Sequence, residues 1–307
     1  MDVTINDDDS ESITVTETLG STDVAEAGAT TDTYSVTLGT SPVGTVTITP
    51  SFGSDVTVSP GSHSFTSADG NTNKVFTVTA VNDQIDEDPI HTATITHGVS
   101  APSDAGYAAL TPASVVANVT DNDTAGVTVT ETLGSTDVAE AGATSDTYDV
   151  VLTTRPTDDV TVTPSFGADV TVTPASLTFT NANWGVAQTF TVTAVDDGIA
   201  EPDPHTAVVT HAAGSADAKY QGISISNVSV SVADDDTAGV TVAESAGSTA
   251  VSEAGATTDT YTVVLDSVPA ASVTVTPSFG PDVTVTPPSL TFTTGNWDSS
   301  QTFTVQA

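Results

Sequence analysis

The sequence contains no cysteine and only three lysine or arginine residues, against 40 aspartate or glutamate residues. The formal net charge of −37 excludes a nucleic-acid binder, because contact with phosphates requires a basic surface. It excludes docking to anionic membranes for the same reason. Without cysteine the chain has no disulfide framework, no cysteine-ligated metal site and no thiol nucleophile.

Aromatic residues are also scarce, at 5%, and the apolar share of 37% is low for a globular protein. Low hydrophobicity with a large net charge is typical of disordered chains, so disorder has to be tested against the residue pattern. No run approaches the roughly 18 apolar residues of a membrane helix. Met1–Asp9 lacks the cationic start and apolar run of a signal peptide. The sequence therefore predicts a soluble chain with no direct membrane insertion.

What the sequence does contain is a long internal repeat. The segment Thr14–Gly28 recurs letter for letter at Thr128–Gly142, and a variant of it returns at Thr241–Gly255. The spacing of about 113 residues is far longer than one coil of a solenoid and matches a whole small domain. The sequence therefore predicts domains in tandem.

Each repeat has the alternating pattern of half-buried strands. Tyr148, Val150 and Leu152 alternate with neighbours that are mostly polar, and Val228 and Val230 alternate with serines. Short runs of period two, rich in valine and threonine and separated by Pro, Gly and Asp turns, indicate antiparallel strands. About seven or eight strands per repeat predict a two-sheet sandwich. Disorder is disfavoured, since an unfolded chain has no reason to keep an alternating apolar face.

The repeats follow one another without a flexible spacer. The strand that ends at Ala233 runs through Asp234–Gly239 directly into Val240, and Asp121–Gly126 occupies the same place one repeat earlier. No Gly/Ser-rich or Pro-rich linker intervenes. Two complete repeats with ragged ends predict a window cut from a longer linear array. The expected boundaries are a closing strand of a preceding repeat at 1–10, repeats at 11–124 and 125–237, and an incomplete repeat at 238–307.

Acidic residues concentrate at the same few positions in each repeat. Carboxylates packed together repel one another unless a cation compensates them, and three lysine or arginine residues cannot. A hard divalent cation can, and calcium suits several carboxylates in flexible geometry better than magnesium does. The alternative is that these acids are solvated loop residues that keep the chain soluble. The positions are Glu26, Asp55, Asp83, Asp86, Glu87, Asp88, Asp121 and Asp123 in the first repeat, and Glu140, Asp169, Asp196, Asp197, Glu201, Asp203 and Asp234–Asp236 in the second.

These residues resemble Calx-beta domains, which are calcium-binding sandwiches of sodium–calcium exchangers and also occur as tandem copies in large bacterial surface proteins. The resemblance covers the whole chain and implies an immunoglobulin-like sandwich with calcium at one end. It rests on five segments in the family's order: Val138–Gly142, Gly167–Val170, Leu177–Phe179 with Asn183-Trp184, Val195–Glu201, and Asp234–Gly239.

The resemblance also implies a set of calcium ligands. The family has one more glutamate, three residues after the position of Glu201. This chain has Pro204 there in the second repeat and Ile90 in the first, and Asn82 and Asn122 replace two carboxylates of the first repeat. These changes predict fewer or weaker calcium ions than in a full exchanger site. The third repeat has Glu253 and Asp282 without the loop and exit acids. The implied ligands are Glu26, Asp55, Asp83, Glu87, Asp121 and Asp123, then Glu140, Asp169, Asp197, Glu201, Asp234, Asp235 and Asp236, with Asp196 close by.

Other chemistry-bearing residues favour structural roles. His91 and His97 are six residues apart on one strand, as are His205 and His211, so each pair spans about 20 Å and cannot share a metal. Packing or exposure is favoured over ligation for these histidines. Trp184 is interpreted as an end-cap contact with the core rather than a sugar platform. No nucleophile–base arrangement or phosphate loop is present, so the sequence predicts no enzymatic activity.

The sequence therefore predicts a calcium-rigidified structural segment of a bacterial extracellular protein, either the stalk of an adhesin or a surface or matrix fibre. Its expected partners are calcium ions and neighbouring repeats of the same chain. Three alternatives remain: a filament subunit that assembles with other copies by strand donation from Val3–Asn6, a ligand-binding adhesion module, and a calcium sensor.

Overall fold

A computed structural model describes residues 9–307 of the chain, so residues 1–8 of the predicted closing strand lie outside the described part. No helix in the described part is long and apolar enough to span a membrane. Besides the strands, residues 9–307 form one short α-helix, α1 at Ala105–Ala108, and 3₁₀ turns at Thr18–Gly20, Thr132–Gly134 and Ser245–Gly247.

Strands make up almost all of the regular structure. The first repeat contains β1 (Ile13–Glu17), β2 (Thr22–Ala25), β3 (Thr31–Leu38), β4 (Val46–Ser51), β5 (Val56–Ser59), β6 (His63–Phe65), β7 (Lys74–Ala80), β8 (Ile90–Ser100) and β9 (Val115–Thr120). The second contains β10 (Val127–Glu131), β11 (Thr136–Ala139), β12 (Ser145–Leu152), β13 (Val160–Ser165), β14 (Val170–Thr173), β15 (Leu177–Phe179), β16 (Gln188–Ala194), β17 (His205–Ser215) and β18 (Val228–Ala233). The third contains β19 (Val240–Glu244), β20 (Thr258–Leu265), β21 (Val273–Val275), β22 (Thr284–Thr286), β23 (Leu290–Phe292) and β24 (Gln301–Gln306).

The first and second repeats share one sheet topology. In the first, a four-stranded sheet has the order β1-β3-β7-β5 and a five-stranded sheet the order β2-β9-β8-β4-β6. The second repeats these orders as β10-β12-β16-β14 and β11-β18-β17-β13-β15. In the third repeat the described strands form β19-β20-β24-β22 and the pair β21-β23. The prediction of an all-β chain of tandem immunoglobulin-like sandwiches is confirmed.

In the two complete repeats the strand count is higher than the seven or eight predicted because the first strand is broken in two. At the break, Leu19 has a φ of 59° and Gly20 a φ of 90°, a left-handed turn that an extended strand cannot accommodate. The chain therefore leaves the four-stranded sheet after β1 and joins the five-stranded sheet as β2. There β2 pairs with β9 in parallel, whereas the other strand pairs of the first repeat are antiparallel.

The apolar faces of the two sheets enclose one core in the first repeat. Tyr34 of β3 and Phe76 of β7 stack with ring centroids 5.2 Å apart, and both pack in one cluster with Ile48 and Ile95 of the opposite sheet. The alternation that predicted the strands therefore also selects the core face, since every second side chain points inward.

A buried polar contact joins the sheets within this core. The Nδ1 of His97 lies 2.9 Å from the carbonyl oxygen of Ala113, and its Nε2 lies 2.9 Å from the Tyr34 hydroxyl. Because a carbonyl only accepts, Nδ1 carries the proton and Nε2 accepts from the hydroxyl. Burial lowers the pKa of His97, which keeps the ring neutral. His211 and Tyr148 repeat the contact at 2.8 Å.

The chain divides into two compact units. The first comprises Met1–Gly126 with Thr153–Asp158, and the second comprises Val127–Leu152 with Asp159–Ala307. The predicted repeat boundaries are a separate question and stay predictions. Each acidic cluster described below lies inside one unit.

Candidate metal centre

The parallel strand pair positions one buried glutamate in each complete repeat. Glu26 follows β2 and donates its N–H to the carbonyl oxygen of Thr120 at 3.0 Å, which continues the β2–β9 ladder. Glu140 follows β11 and donates in the same way to Ala233 of β18, also at 3.0 Å. Each glutamate is only 1% exposed. Pairing with the last strand of the repeat therefore brings each glutamate alongside the aspartates that follow that strand.

A tight turn then carries the chain away from each glutamate. Gly142 has a φ of 77° and Ala143 a φ of 49°, and Ala143 donates its N–H to the Glu140 carbonyl oxygen at 2.7 Å. Glycine adopts this left-handed conformation without the penalty of a Cβ. The repeated sequence Glu-Ala-Gly-Ala-Thr thus encodes a reversal directly after the buried carboxylate.

We call the six carboxylates predicted for the first repeat the first acidic cluster. Two of them sit on turns that their own side chains stabilise. Asp121 accepts the N–H of Glu87 at Oδ2 and the N–H of Asp123 at Oδ1, both at 2.8 Å. Asp83 accepts the N–H of Ile85 at 2.7 Å. The members are Glu26, Asp55, Asp83, Glu87, Asp121 and Asp123.

The structure brings this cluster together from four parts of the chain. Carboxylate oxygens of Glu26, Asp121 and Asp123 lie within 4.8 Å of one another. Glu26 also forms such a group with Glu87 and His91. Asp55, immediately before β5, also lies beside His91, with its Oδ2 3.9 Å from the ring Nε2.

The second acidic cluster has the same framework. Asp234 accepts the N–H of Glu201 at Oδ2 (2.6 Å) and that of Asp236 at Oδ1 (2.9 Å). Glu140 lies within 4.8 Å of both Asp235 and Asp236. Asp196, Asp197 and Asp235 are exposed at the rim of the cluster. The members are Glu140, Asp169, Asp196, Asp197, Glu201, Asp234, Asp235 and Asp236.

Both buried glutamates have unusual electrostatics. The Oε2 atoms of Glu26 and Glu140 are buried and have no hydrogen-bond partner among the described residues. Burial, reinforced by Asp121 and the other acids nearby, raises the pKa of Glu26 to about 7. Burial and the repulsion from Asp197 and Asp234 raise the pKa of Glu140 to about 7 as well. Burying a carboxylate without a partner costs free energy, and a positive charge beside each of these groups would offset that cost.

The neighbouring carboxylates also have raised pKa values. Burial raises the pKa of Asp123, whose Oδ2 is buried without a hydrogen-bond partner in the described chain, and Asp121 adds to the effect. Burial likewise raises the pKa of Glu87 and of Asp236. Repulsion among these acids is therefore a property of each cluster as a whole.

The residues fit a hard divalent cation. The carboxylates supply many oxygen donors, several already close together, and the buried Oε2 atoms point into the group without a protein partner. Calcium takes six to eight oxygen ligands, mono- or bidentate, in flexible geometry. Among the described residues, Arg155 is the one lysine or arginine that forms a salt bridge with either cluster, and its Nη2 lies 3.5 Å from Asp83 Oδ2. A single, partly exposed guanidinium cannot neutralise six acids.

Sequence reasoning missed the two histidines of these clusters, and it recognised Asp86 as a clustered acid without including it among the implied ligands. His91 Nε2 lies 3.4 Å from Glu87 Oε2, and His205 Nε2 lies 3.4 Å from Glu201 Oε2. Asp86 accepts the N–H of Ala125 at 2.7 Å and contributes to the raised pKa of Asp123. The repeated spacing Glu-x-x-x-His before β8 and β17 was the available signal for the histidines.

The third repeat has acidic residues at two of the positions that form the clusters. Glu253 and Asp282 are both exposed. No strand is assigned between Gly247 and Thr258 in the described chain, so the segment around Glu253 has no ladder like that of β11 and β18. The local sequence of Glu253 matches that of Glu140, and the difference in burial therefore comes from tertiary pairing.

The tryptophans lie at the edge of the sandwich cores. Trp297 packs against the core cluster of the third repeat, and its carbonyl oxygen accepts the N–H of Leu265 at 3.1 Å. Trp184 accepts from Leu152 in the same way at 3.2 Å. Gly70 occupies this place in the first repeat and accepts from Leu38 at 3.2 Å. The shared feature is thus a backbone contact that does not require the indole.

Solved structures similar to this chain are low in sequence identity. They include CBD12 from CALX1.2, at 15% identity with a TM-score of 0.26, covering 64% of this chain and 79% of that one. The E. coli chaperone DraB is 11% identical with a TM-score of 0.27, covering 72% and 98%. The Salmonella enterica SafA pilin in complex with the SafB chaperone is 13% identical with a TM-score of 0.28, covering 71% and 95%. At these TM-scores the fold assignment rests on the sheets and cores themselves. No family model and no curated protein matches the chain.

Proposed function

We propose that this chain is a non-enzymatic, calcium-binding structural segment of a bacterial extracellular protein, either an adhesin stalk or a surface or matrix fibre. The observation that carries the proposal is the pair of buried glutamates. Glu26 and Glu140 are each 1% exposed, lie among other carboxylates and have no hydrogen-bond partner at Oε2 in the described chain. Bound calcium supplies the positive charge that these groups lack.

Calcium is favoured over other hard cations by the number and variety of the donors. Each cluster offers one buried carboxylate and several half-buried ones from four segments of chain, and the second cluster adds exposed carboxylates. Such a site suits a cation that accepts six to eight oxygens, whereas magnesium demands a small octahedral shell and keeps its waters. The sequence resemblance to Calx-beta domains supports the same choice.

The contacts around each cluster explain why neutralising it would stiffen the chain. The N–H of Glu201 binds Asp234, so the loop before β17 is already tied to the segment that follows β18. Within the second unit the same loop reaches the third repeat, because Gly198 accepts the N–H of Val268 at 2.6 Å. Fixing the acids would therefore restrain the loop, the exit segment and this contact together.

The extracellular and structural assignment has a separate basis. Near-identical repeats favour a spacer, since a specific receptor site would require one repeat to differ. The absence of cysteine suits a long secreted chain that folds without a disulfide framework. The large negative charge keeps such chains from associating nonspecifically.

Calcium titration of the full chain tests the proposal. We expect calcium to raise the melting temperature and the end-to-end length measured by solution scattering, and a chelator to reverse both changes. The E26Q/E140Q variant should lose most of the stabilisation. E253Q is the matched control, because it changes the same local sequence at an exposed position and should behave like the unmodified chain. An unchanged melting temperature and shape across the titration would defeat the proposal.

A further inference from the structure

Each acidic cluster contains one nitrogen donor that a calcium site does not explain. His205, at the start of β17, places its Nε2 3.4 Å from Glu201 Oε2 and 3.8 Å from Asp169 Oδ2. His91, at the second residue of β8, repeats this with Glu87 at 3.4 Å and Asp55 at 3.9 Å. The arrangement is therefore a repeated feature of the complete repeats.

The nitrogens of both rings are buried without hydrogen bonds in the described chain. The side chain of His205 is 12% exposed and that of His91 is 17% exposed. All four ring nitrogens are shielded from solvent and have no hydrogen-bond partner among the described residues. A buried imidazole left unpaired in this way costs free energy.

Two other histidines of this chain pack in the cores and have hydrogen-bond partners at both ring nitrogens. His97 has a carbonyl partner at Nδ1 and the Tyr34 hydroxyl at Nε2. His211 has the same pair of contacts, with Ser226 and Tyr148. The unpaired nitrogens of His91 and His205 therefore set these two residues apart from the packing histidines six positions later.

A buried carboxylate points into the same group. Glu140 offers an oxygen within 4.8 Å of ligand atoms on both Glu201 and His205, and Glu26 does so with Glu87 and His91. The Oε2 atoms of Glu26 and Glu140 have no protein partner in the described chain, and both residues are 1% exposed. Each group thus combines one imidazole nitrogen with at least two carboxylate oxygens.

This donor set differs chemically from the aspartates at the exit. Calcium prefers oxygen ligands, whereas imidazole suits zinc, copper, iron and nickel. Zinc accepts a mixture of histidine and carboxylate ligands. Divalent ions of this class bind a nitrogen-containing site more tightly than calcium or magnesium does.

We propose that His91 and His205 each form, with their two neighbouring glutamates, a nitrogen–oxygen subsite for a borderline divalent cation of the zinc class. In the second repeat the subsite is His205, Glu201 and Glu140, with Asp169 beside it. It shares Glu140 with the oxygen-only group Glu140, Asp235 and Asp236. The proposal does not depend on calcium occupying that second group.

Zinc titration of the metal-free full chain by calorimetry is the direct test. We expect one Zn²⁺ per cluster, and loss of one binding event in H91Q and of the other in H205Q. Removal of a partner outside the coordination sphere already weakens metal binding by about 10- to 100-fold. Loss of the imidazole itself should therefore weaken Zn²⁺ binding by at least about tenfold. H63Q is the control, because His63 lies outside both clusters on β6 and should leave zinc binding unchanged.

Two further measurements keep the result decisive. Co²⁺ substituted for zinc should give an absorption spectrum that changes in H91Q/H205Q, which reports nitrogen coordination directly. E87Q/E201Q should weaken zinc binding as well, while D235N/D236N should retain it. Far-ultraviolet circular dichroism of each variant checks that the sandwiches are folded.

The outcomes separate this proposal from the calcium proposal. Zinc binding that needs the histidines supports the subsite, whether or not calcium binds. H91Q/H205Q should weaken calcium binding much less than zinc binding, since calcium relies on oxygen donors. The subsite proposal is overturned if zinc fails to bind the unmodified chain, or if it binds H91Q/H205Q equally well.

Discussion

The first and second acidic clusters have the same backbone framework and different charges. Glu26 and Glu140 make the same 3.0 Å ladder bond to the exit strand. Asp121 and Asp234 each accept two N–H groups from the same relative positions. These hydrogen bonds that hold the loops are thus preserved in both clusters.

The differences lie mainly at the rim. Asn82 and Asn122 of the first repeat stand where the second has Asp196 and Asp235. Asp86 partly compensates, since it adds a carboxylate where the second repeat has an alanine. Arg155 adds a positive charge beside Asp83. The two clusters should therefore bind cations in the same way with different strengths.

The largest effect we expect is common to both clusters and concerns pH. In metal-free buffer, the folded-state pKa of about 7 for Glu26 and Glu140 exceeds the ordinary value of 4.5. The stabilisation by the bound proton is therefore complete below pH 4.5 and is lost as pH rises through 7. The loss amounts to about 3 kcal/mol per glutamate.

Urea unfolding between pH 4.5 and 8 measures this loss. E26Q and E140Q should each remove a similar part of the pH dependence, and E253Q should remove none. A pH dependence that only one of the two glutamine variants reduces would show that the clusters are not equivalent.

The next effect separates the clusters. D121N/D123N should remove calcium-dependent stabilisation of the first cluster, and D234N/D236N that of the second. At a free calcium concentration 100 times the dissociation constant, each bound ion contributes about 2.7 kcal/mol. Calorimetry should show that each double variant loses only its own share of the bound calcium. Loss of all binding from either variant alone would contradict separate sites.

Exchanging the rim charge should make the clusters more alike. N122D adds a carboxylate to the first cluster and D235N removes one from the second. A unit charge about 4 Å from a divalent ion in a water-like environment is worth about 2 kcal/mol. Calcium affinity should therefore rise about 30-fold in N122D and fall about 30-fold in D235N. D282N, at an exposed position of the third repeat, should have no effect, and equal responses from all three variants would argue against a role for the rim.

The smallest effect concerns the arginine of the first cluster. Arg155 is 41% exposed and 3.5 Å from Asp83, so its interaction is worth about 1 kcal/mol or less. R155V, which introduces the valine found at position 268 of the third repeat, should tighten calcium binding at the first cluster by less than about fivefold. K74Q removes a lysine paired with Asp69 elsewhere and is the control. Weaker binding in R155V would show that the arginine supports the site.

Much of the fold could be predicted because period-two alternation is a local signal. The strands around Tyr148 and Val228 lie where apolar side chains recur at every second position. The break between β1 and β2 could not be predicted in this way. Its cause is a left-handed turn at Leu19, where the sequence shows only an ordinary Thr-Leu-Gly.

The candidate site was predictable in part. The acids of loop and exit were recognisable because they recur in each repeat and resemble a known family. The histidines were interpreted as packing or exposed residues, because strand spacing shows which side a residue faces and not what it meets there. His91 meets Glu87 because the loop before β8 folds back on the strand. Whether these residues bind metal stays a prediction.

Glu140 and Glu253 show where local sequence stops being informative. Both stand in Glu-Ala-Gly-Ala-Thr, and in both repeats the residue three positions on donates its N–H to the glutamate carbonyl. The turn therefore follows from the residues themselves, since glycine and alanine close it without distant partners. Burial does not, because shielding a carboxylate takes a neighbouring strand and opposing loops, and only Glu140 has them. Composition and periodicity thus account for the strands, the turns and the acids, while long-range pairing decides which acid becomes an unpaired buried charge.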